Sequence, residues 1–262
     1  MFSARNIRLL RLLVALPTAG FAQLALTPST TEGPYYPFNS TPRLDTTALV
    51  NADNDLTQVG ANITRASGTR FLLSGTLVNT AGAAIAGAKI ELWEADNNGV
   101  YHHSADNTYS RRDANFQSYG TTTTDAAGNW SFRTINPDLY TGRIRHFHFM
   151  VRLNRTAVLT SQFMFEEDRA SFAGDNVAQP LLAAGTIDRT LLSPATGLDS
   201  LEGATALLAA KQIVIHATGT ITVTSASAPV ITAQPAGASY SVVVSGVDGA
   251  TGEALVEIHD LH

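Results

Sequence analysis

The chain predicts an all-β protein: an antiparallel β-sandwich with a long irregular N-terminal segment and few short helices. Three observations predict it. From residue 71 onward, apolar and polar residues alternate with a period of two in many short runs. Turn formers separate those runs, as in Asn79-Thr80-Ala81-Gly82 and Asp125-Ala126-Ala127-Gly128-Asn129. Small and β-branched residues dominate, and only 15% of residues are charged.

Taken in order, residues 1–22 read as an export signal. Arg5, Arg8 and Arg11 supply positive charge, Leu12 to Ala22 is mostly apolar, and Gly20-Phe21-Ala22 offers small residues for cleavage. Arg11 and Pro17 depart from the usual pattern, and a cytosolic amphipathic arm is the competing reading. The expected location is periplasmic or extracellular. Residues 23–70 carry turn formers and the stiff segment Thr31-Glu32-Gly33-Pro34-Tyr35-Tyr36-Pro37, which excludes a helix or central strand there. Its two tyrosines either line a pocket or pack on the sandwich edge.

Strands are expected at Phe71–Val78, Ala88–Trp93, Trp130–Thr134, Ile144–Leu153 and Val158–Phe165, with Asn154-Arg155-Thr156-Ala157 joining the last two as a hairpin. Ala204–Lys211 is the best helix candidate. Strand-like runs follow at Gln212–His216, Thr220–Thr224 and Tyr240–Val244, and Pro229 to Gly237 is the one plausible hinge. A single domain over 23–262, completed by its last strands, is the preferred organisation.

The balance of 17 basic and 22 acidic residues gives a net charge of −5, which repels nucleic acid. No stretch beyond the N-terminus approaches the roughly 18 apolar residues of a membrane span. A chain of 262 residues buries enough surface to need no disulfide. The absence of cysteine excludes thiolate zinc sites, iron–sulfur clusters and a thiol nucleophile.

The segment Tyr140-Thr141-Gly142-Arg143-Ile144-Arg145-His146-Phe147-His148-Phe149 carries the chemistry. In a strand, side chains two apart share a face, so His146 and His148 point together while Phe147 and Phe149 point into apolar surroundings. Two imidazoles at that spacing reach a common metal, or they are half-buried strand histidines with polar partners. Tyr140 lies just upstream, and Tyr101 follows the turn Asn97-Asn98-Gly99-Val100. Each tyrosine taken alone reads as a strand-end residue. Together, two phenolates and two imidazoles would favour a ferric ion over zinc or magnesium. His102 and His103 sit on a turn and are expected to be solvated.

The runs Ile90-Glu91-Leu92-Trp93-Glu94-Ala95-Asp96, Gly99-Val100-Tyr101, Phe132-Arg133-Thr134-Ile135-Asn136-Pro137, Tyr140, Arg143 and His146-Phe147-His148-Phe149 resemble the intradiol ring-cleavage dioxygenases, the protocatechuate 3,4-dioxygenases and catechol 1,2-dioxygenases among them. Thr31 to Pro37 resembles that family's N-terminal segment, and the likeness spans roughly residues 28–170. It implies a non-haem Fe(III) held by Tyr101, Tyr140, His146 and His148, with Tyr140 the ligand that leaves when the diol binds. It implies Arg143 as the active-site arginine and Gln162 as a pocket residue. The implied partners are a small aromatic diol and O2, and the implied product is a cis,cis-muconate. The family usually has Pro-Ala where this chain has Ile144-Arg145, so either Arg143 or Arg145 could meet the substrate. No helical dimerisation region is legible in residues 23–70, which places the chain nearer the exported single-chain relatives; a homo-oligomer stays open. Gly75-Thr76-Leu77-Val78 and Ala86 to Leu92 also resemble prealbumin-type, immunoglobulin-like sandwich modules that need no metal. Such a module has no use for His-x-His on one face with two loop tyrosines beside it.

Overall fold

The computed structural model describes residues 23–37, 53–140 and 142–216. Within them nine strands form two sheets. The first holds β1 (Arg70–Asn79), β4 (Asn129–Ile135), β8 (Ala195–Asp199) and β9 (Ala204–Ile215), in the order β4-β1-β9-β8. The second holds β2 (Lys89–Trp93), β3 (Tyr119–Thr123), β5 (His146–Leu153), β6 (Thr156–Phe165) and β7 (Leu191–Leu192), in the order β3-β2-β5-β6-β7. The sandwich is as expected, but it is not purely antiparallel. β1 pairs parallel with β9, and β6 pairs parallel with β7.

Alternation sets the core. Phe71, Leu73 and Leu77 of β1 face Phe147, Phe149 and Val151 of β5, and all six are buried. Trp130 of β4 stacks over Phe163 of β6 at 6.0 Å, and Phe163 stacks on Phe149 at 4.1 Å. These rings join the two sheets, and each fully buried one is worth about 1.5–3 kcal/mol of transfer free energy. The turns follow from side-chain chemistry. Asn79 Oδ1 accepts the Ala81 and Ala83 amides, and Asp125 Oδ1 accepts those of Ala127 and Asn129. The β5–β6 hairpin is tighter than expected: only Asn154 and Arg155 lie outside the strands, both with positive φ, as a two-residue primed turn requires.

The expected helix at Ala204–Lys211 is the first part of β9. Its alanines and leucines favour a helix by only a few tenths of a kcal/mol each. Hydrogen bonding to β1 on one side and β8 on the other outweighs that preference, with Ala206 and Ala209 buried. Gln212–His216 is not a separate strand; all but His216 continue β9. A short helix, α1 (Ala178–Ala183), and a 3-10 segment over Glu166–Gly174 follow β6. The signal segment 1–22, the runs Thr220–Thr224 and Tyr240–Val244, and the hinge at Pro229 to Gly237 lie outside the described residues. No helix among the described residues is long and apolar enough to cross a membrane.

Candidate metal centre

β5 presents His146 and His148 on the face opposite Phe147 and Phe149. Both imidazoles are buried, and their Nε2 atoms lie 3.1 Å apart. Tyr101 Oη lies 3.2 Å from His146 Nε2. The turn before Tyr101 is built on Asp96, whose Oδ1 accepts the Asn98 and Val100 amides, while Asp106 Oδ2 accepts the Tyr101 amide. Tyr140 enters from the loop after β4, its ring edge-on to Tyr101 at 5.3 Å and tilted against His146 at 5.7 Å. Tyr101 is fully buried whereas Tyr140 is half-buried at the rim.

Register brings the remaining two residues in. Gln162 of β6 sits opposite His148 of β5. Arg143 Nη2 donates to Gln162 Oε1 at 2.7 Å, and its Nη1 lies 3.5 Å from Tyr140 Oη. Arg145 points elsewhere. It pairs with Asp168 and Glu167 and lies over the Phe165 ring. Arg143 is therefore the arginine beside Tyr140 and Gln162.

Electrostatics keeps the nitrogen donors neutral. Burial, helped by the Arg143 charge, pulls the His146 pKa down to about 3. Burial also takes His148 well below the usual range, with His146 and Arg143 adding to it. His146 Nδ1–H donates to the Ile144 carbonyl at 2.7 Å, which leaves Nε2 as a lone pair facing the site. Burial pushes the Tyr101 phenol well above its ordinary value, and neighbouring Tyr140 acts in the same direction. A bound cation would reverse that, because coordination favours the phenolate. Two neutral imidazoles meeting the Tyr101 phenol, with the Tyr140 ring packed against Tyr101 and His146, suit a cation. Among the described residues no group of three or more His, Cys, Asp or Glu forms, so a metal set here needs the phenols. That chemistry departs from the carboxylate-rich sites of calcium and magnesium.

The surroundings hold these side chains in place. Trp93 stacks on His148 at 5.0 Å, nearly parallel. Tyr35 lies against Tyr101 at 4.8 Å and edge-on to Tyr140 at 5.9 Å. Tyr36 is buried against Trp93 and donates to Glu91 Oε2 at 2.6 Å. The two tyrosines thus divide the two expectations between them: Tyr35 lines the site and Tyr36 packs on the sheet. Gln162 Nε2 donates to the Thr31 carbonyl, so the N-terminal segment is tied to the site. Two clefts flank Leu139 and Tyr140. One, of about 790 Å³, is lined by Arg143, Ile144 and Asp175; the other, of about 360 Å³, by Tyr35, Asp106 and Arg111.

Two expectations need correction. The His102 side chain is 3% exposed, with Nε2 3.7 Å from Asp96 Oδ2 and its ring edge-on to Phe116. His103 is buried too, packed beside Tyr35 with Nδ1 accepting the Ala105 amide. The turn packs its imidazoles against Phe116 and Tyr35, where a sequence turn signal alone suggests solvent. Trp93 and Asp175 carried no such signal as site residues: Trp93 reads as an ordinary strand aromatic, and Asp175 lies 32 positions from Arg143.

Residues 32–203 match a family model described as "Dioxygenase". The chain is 31% identical over 104 residues to the protocatechuate 3,4-dioxygenase beta chain of Burkholderia cepacia, covering 37% of this chain and 44% of that one. It is 29% identical over 161 residues to catechol 1,2-dioxygenase 1 of Acinetobacter lwoffii, covering 54% of this chain and 47% of that one. It thus spans less than half the length of either curated relative. The fold resembles the dioxygenase domain of a dioxygenase carbohydrate-binding protein fusion from Streptomyces sp. SirexAA-E, with a TM-score of 0.53 at 23% identity over 73% of this chain and 99% of that one. It also resembles an intradiol ring-cleavage dioxygenase from Tetranychus urticae, with a TM-score of 0.54 at 18% identity over 75% and 96%. With the match spanning every residue of the phenol–imidazole cluster, the chain belongs to the intradiol ring-cleavage dioxygenase family.

Proposed function

We propose that the chain binds ferric iron through Tyr101, Tyr140, His146 and His148 and splits a catechol-type ring between its two hydroxyls. Both atoms of O2 enter the product, a cis,cis-muconate. The observation that carries this reading is the approach of Tyr101 Oη and His148 Nε2 to within 3.2 Å of His146 Nε2, all three side chains being buried. When bound, ferric iron supplies the Lewis acidity and electron acceptance that open an aromatic diol to O2.

The protein's own residues do the rest. Tyr101 is enclosed on all sides, whereas Tyr140 sits half-buried at the rim, where its phenol oxygen, freed from the metal it would help to hold, would accept a proton from the incoming diol. The Arg143 guanidinium stays beside Tyr140 and stabilises negative charge that builds on the substrate. Gln162, pinned between Arg143 and Thr31, fixes the edge of the pocket against the ring. Trp93 and Tyr35 exclude water around His148 and Tyr101. Residues 1–22 act as an export signal in this proposal. N-terminal sequencing of secreted protein is expected to begin at Gln23, and a secreted chain retaining Met1 would refute that part.

The test is iron loading followed by oxygen uptake over a panel of catechols. The loaded protein is expected to turn burgundy, from phenolate-to-iron charge transfer, and to yield muconate spectra. Tyr101→Phe is expected to bleach the colour and cut turnover at least 10²-fold with an unchanged circular dichroism spectrum, of the order lost with one essential electrostatic group. A loaded wild type that stays colourless overturns the proposal in favour of a metal-free sandwich module.

A further inference from the structure

Arg143 is held from behind by a residue of a different element. We infer that Asp175 is a positioning residue, which fixes the Arg143 guanidinium against Tyr140 and Gln162 and ties it to the start of α1. The inference rests on the functional reading above, because it assigns Asp175 a part in the use of Arg143.

Asp175 is 2% exposed, and both of its oxygens are engaged. Oδ2 accepts Arg143 Nε at 2.8 Å and the Ile144 amide at 3.0 Å. Oδ1 accepts the Val177 and Ala178 amides at 2.9 and 2.8 Å, which caps α1. One carboxylate thus joins the helix start to the arginine side chain and to the backbone two residues before His146. Packing reinforces the link. Ile144 sits in a buried cluster with Ala178 and Leu181 of α1 and with Met164, Phe172 and Ile187.

No other acid of the cleft is free to replace it. Asp168 is committed to Arg145, and Asp138 lies exposed with Oδ1 on the Leu139 amide. The Arg143 side chain is 8% exposed, so without Asp175 its Nε is buried and unpaired. The guanidinium would then shift to recover solvent or another acceptor. It would leave the spot 3.5 Å from Tyr140 Oη. Displacement of a charge-stabilising group by about 1 Å costs on the order of 10²-fold in rate.

Asp175→Asn cannot satisfy both sides. Its single carbonyl oxygen serves either Arg143 and Ile144 or the helix amides, and its amino group then confronts the other pair of donors. Asp175→Ser keeps a capping hydroxyl but is too short to reach Arg143. Glu166→Gln, in the exposed Glu166–Arg169 pair, is the control.

The experiment is a double-mutant cycle on the full iron-loaded chain with Asp175→Asn and Arg143→Ala. Asp175→Asn is expected to lower kcat about 10- to 100-fold with wild-type iron content and colour. In the Arg143→Ala background the same change is expected to cost less than about twofold. Glu166→Gln is expected to behave as wild type. Equal losses in both backgrounds, or a wild-type kcat, overturn the inference. Should Asp175→Asn fail to fold, Asp175→Ser takes its place in the cycle with the same expectations. A loaded wild type that oxidises no diol sinks the functional reading instead. The positioning is then judged from melting temperatures of the metal-free variants, where additive shifts overturn it and non-additive shifts support it.

Discussion

His148 meets the N-terminal segment as well as its own sheet. Gly33 lies at φ +71°, and a methyl group added there would come 3.1 Å from His148 Cε1. Both the backbone and the contact therefore demand glycine. Gly33→Ala is expected to cost about 1–2 kcal/mol of stability from the left-handed conformation alone. It should also press on the imidazole and, if His148 holds iron as proposed, weaken iron binding about 10-fold. Thermal melting and iron titration check the two effects separately. A variant with wild-type iron affinity would mean that the segment does not shape the site. At this scale much of the cluster was legible. The two-residue spacing of His146 and His148 dictates a shared face in any strand. Tyr35 and Asp175 were less so, because their roles depend on contacts with residues far along the chain.

Strand pairing decides what the local sequence leaves open. β9 lies between β1 and β8, and its approach to β1 is close at Gly75, where an added Cβ would collide with the Lys211 carbonyl oxygen and the Trp130 ring. Backbone cannot give way as a flexible side chain can. Gly75→Ala is expected to destabilise the protein by about 3 kcal/mol or more, the upper range for overpacking. Urea denaturation measures it, and a midpoint equal to that of wild type would show that β1 and β9 can separate locally. The same pairing explains why Ala204–Lys211 reads as a helix but is not one. Alanine and leucine favour helix weakly, whereas two open strand edges offer a hydrogen bond to each backbone group. Turns were better read, since Asn79 and Asp125 bond amides within four residues of themselves.

Across the whole molecule, Arg133 gathers distant segments. From β4 it bonds Asp199 at the end of β8, Glu202 in the turn before β9, and Asp55 from the N-terminal segment. Burial alone would raise the Asp199 pKa, but the Arg133 hydrogen bond and the Leu201 amide outweigh it and hold it below the ordinary carboxylate range. A depressed folded pKa means stability is fully present above the unfolded value, near 3.9, and is lost as pH falls through the folded one. The melting temperature is therefore expected to fall on acidification below about pH 4. Asp199→Asn is expected to melt lower at neutral pH and to lose less on further acidification. Parallel slopes for variant and wild type would remove Asp199 from the acid response.

The sequence by itself determined the features that depend on near neighbours. These are the period-two strands, the side-chain-capped turns, the common face of His146 and His148, and the family likeness carried by motifs in order. The tertiary structure alone decided the parallel docking of β9, the burial of the His102 and His103 side chains, the placement of Arg143 rather than Arg145 beside Tyr140, and the bonding of Arg143 to Asp175. The reason is physical. Periodicity and capping are fixed by bonds a few residues long, whereas burial and charge pairing depend on which surfaces the folded chain brings together.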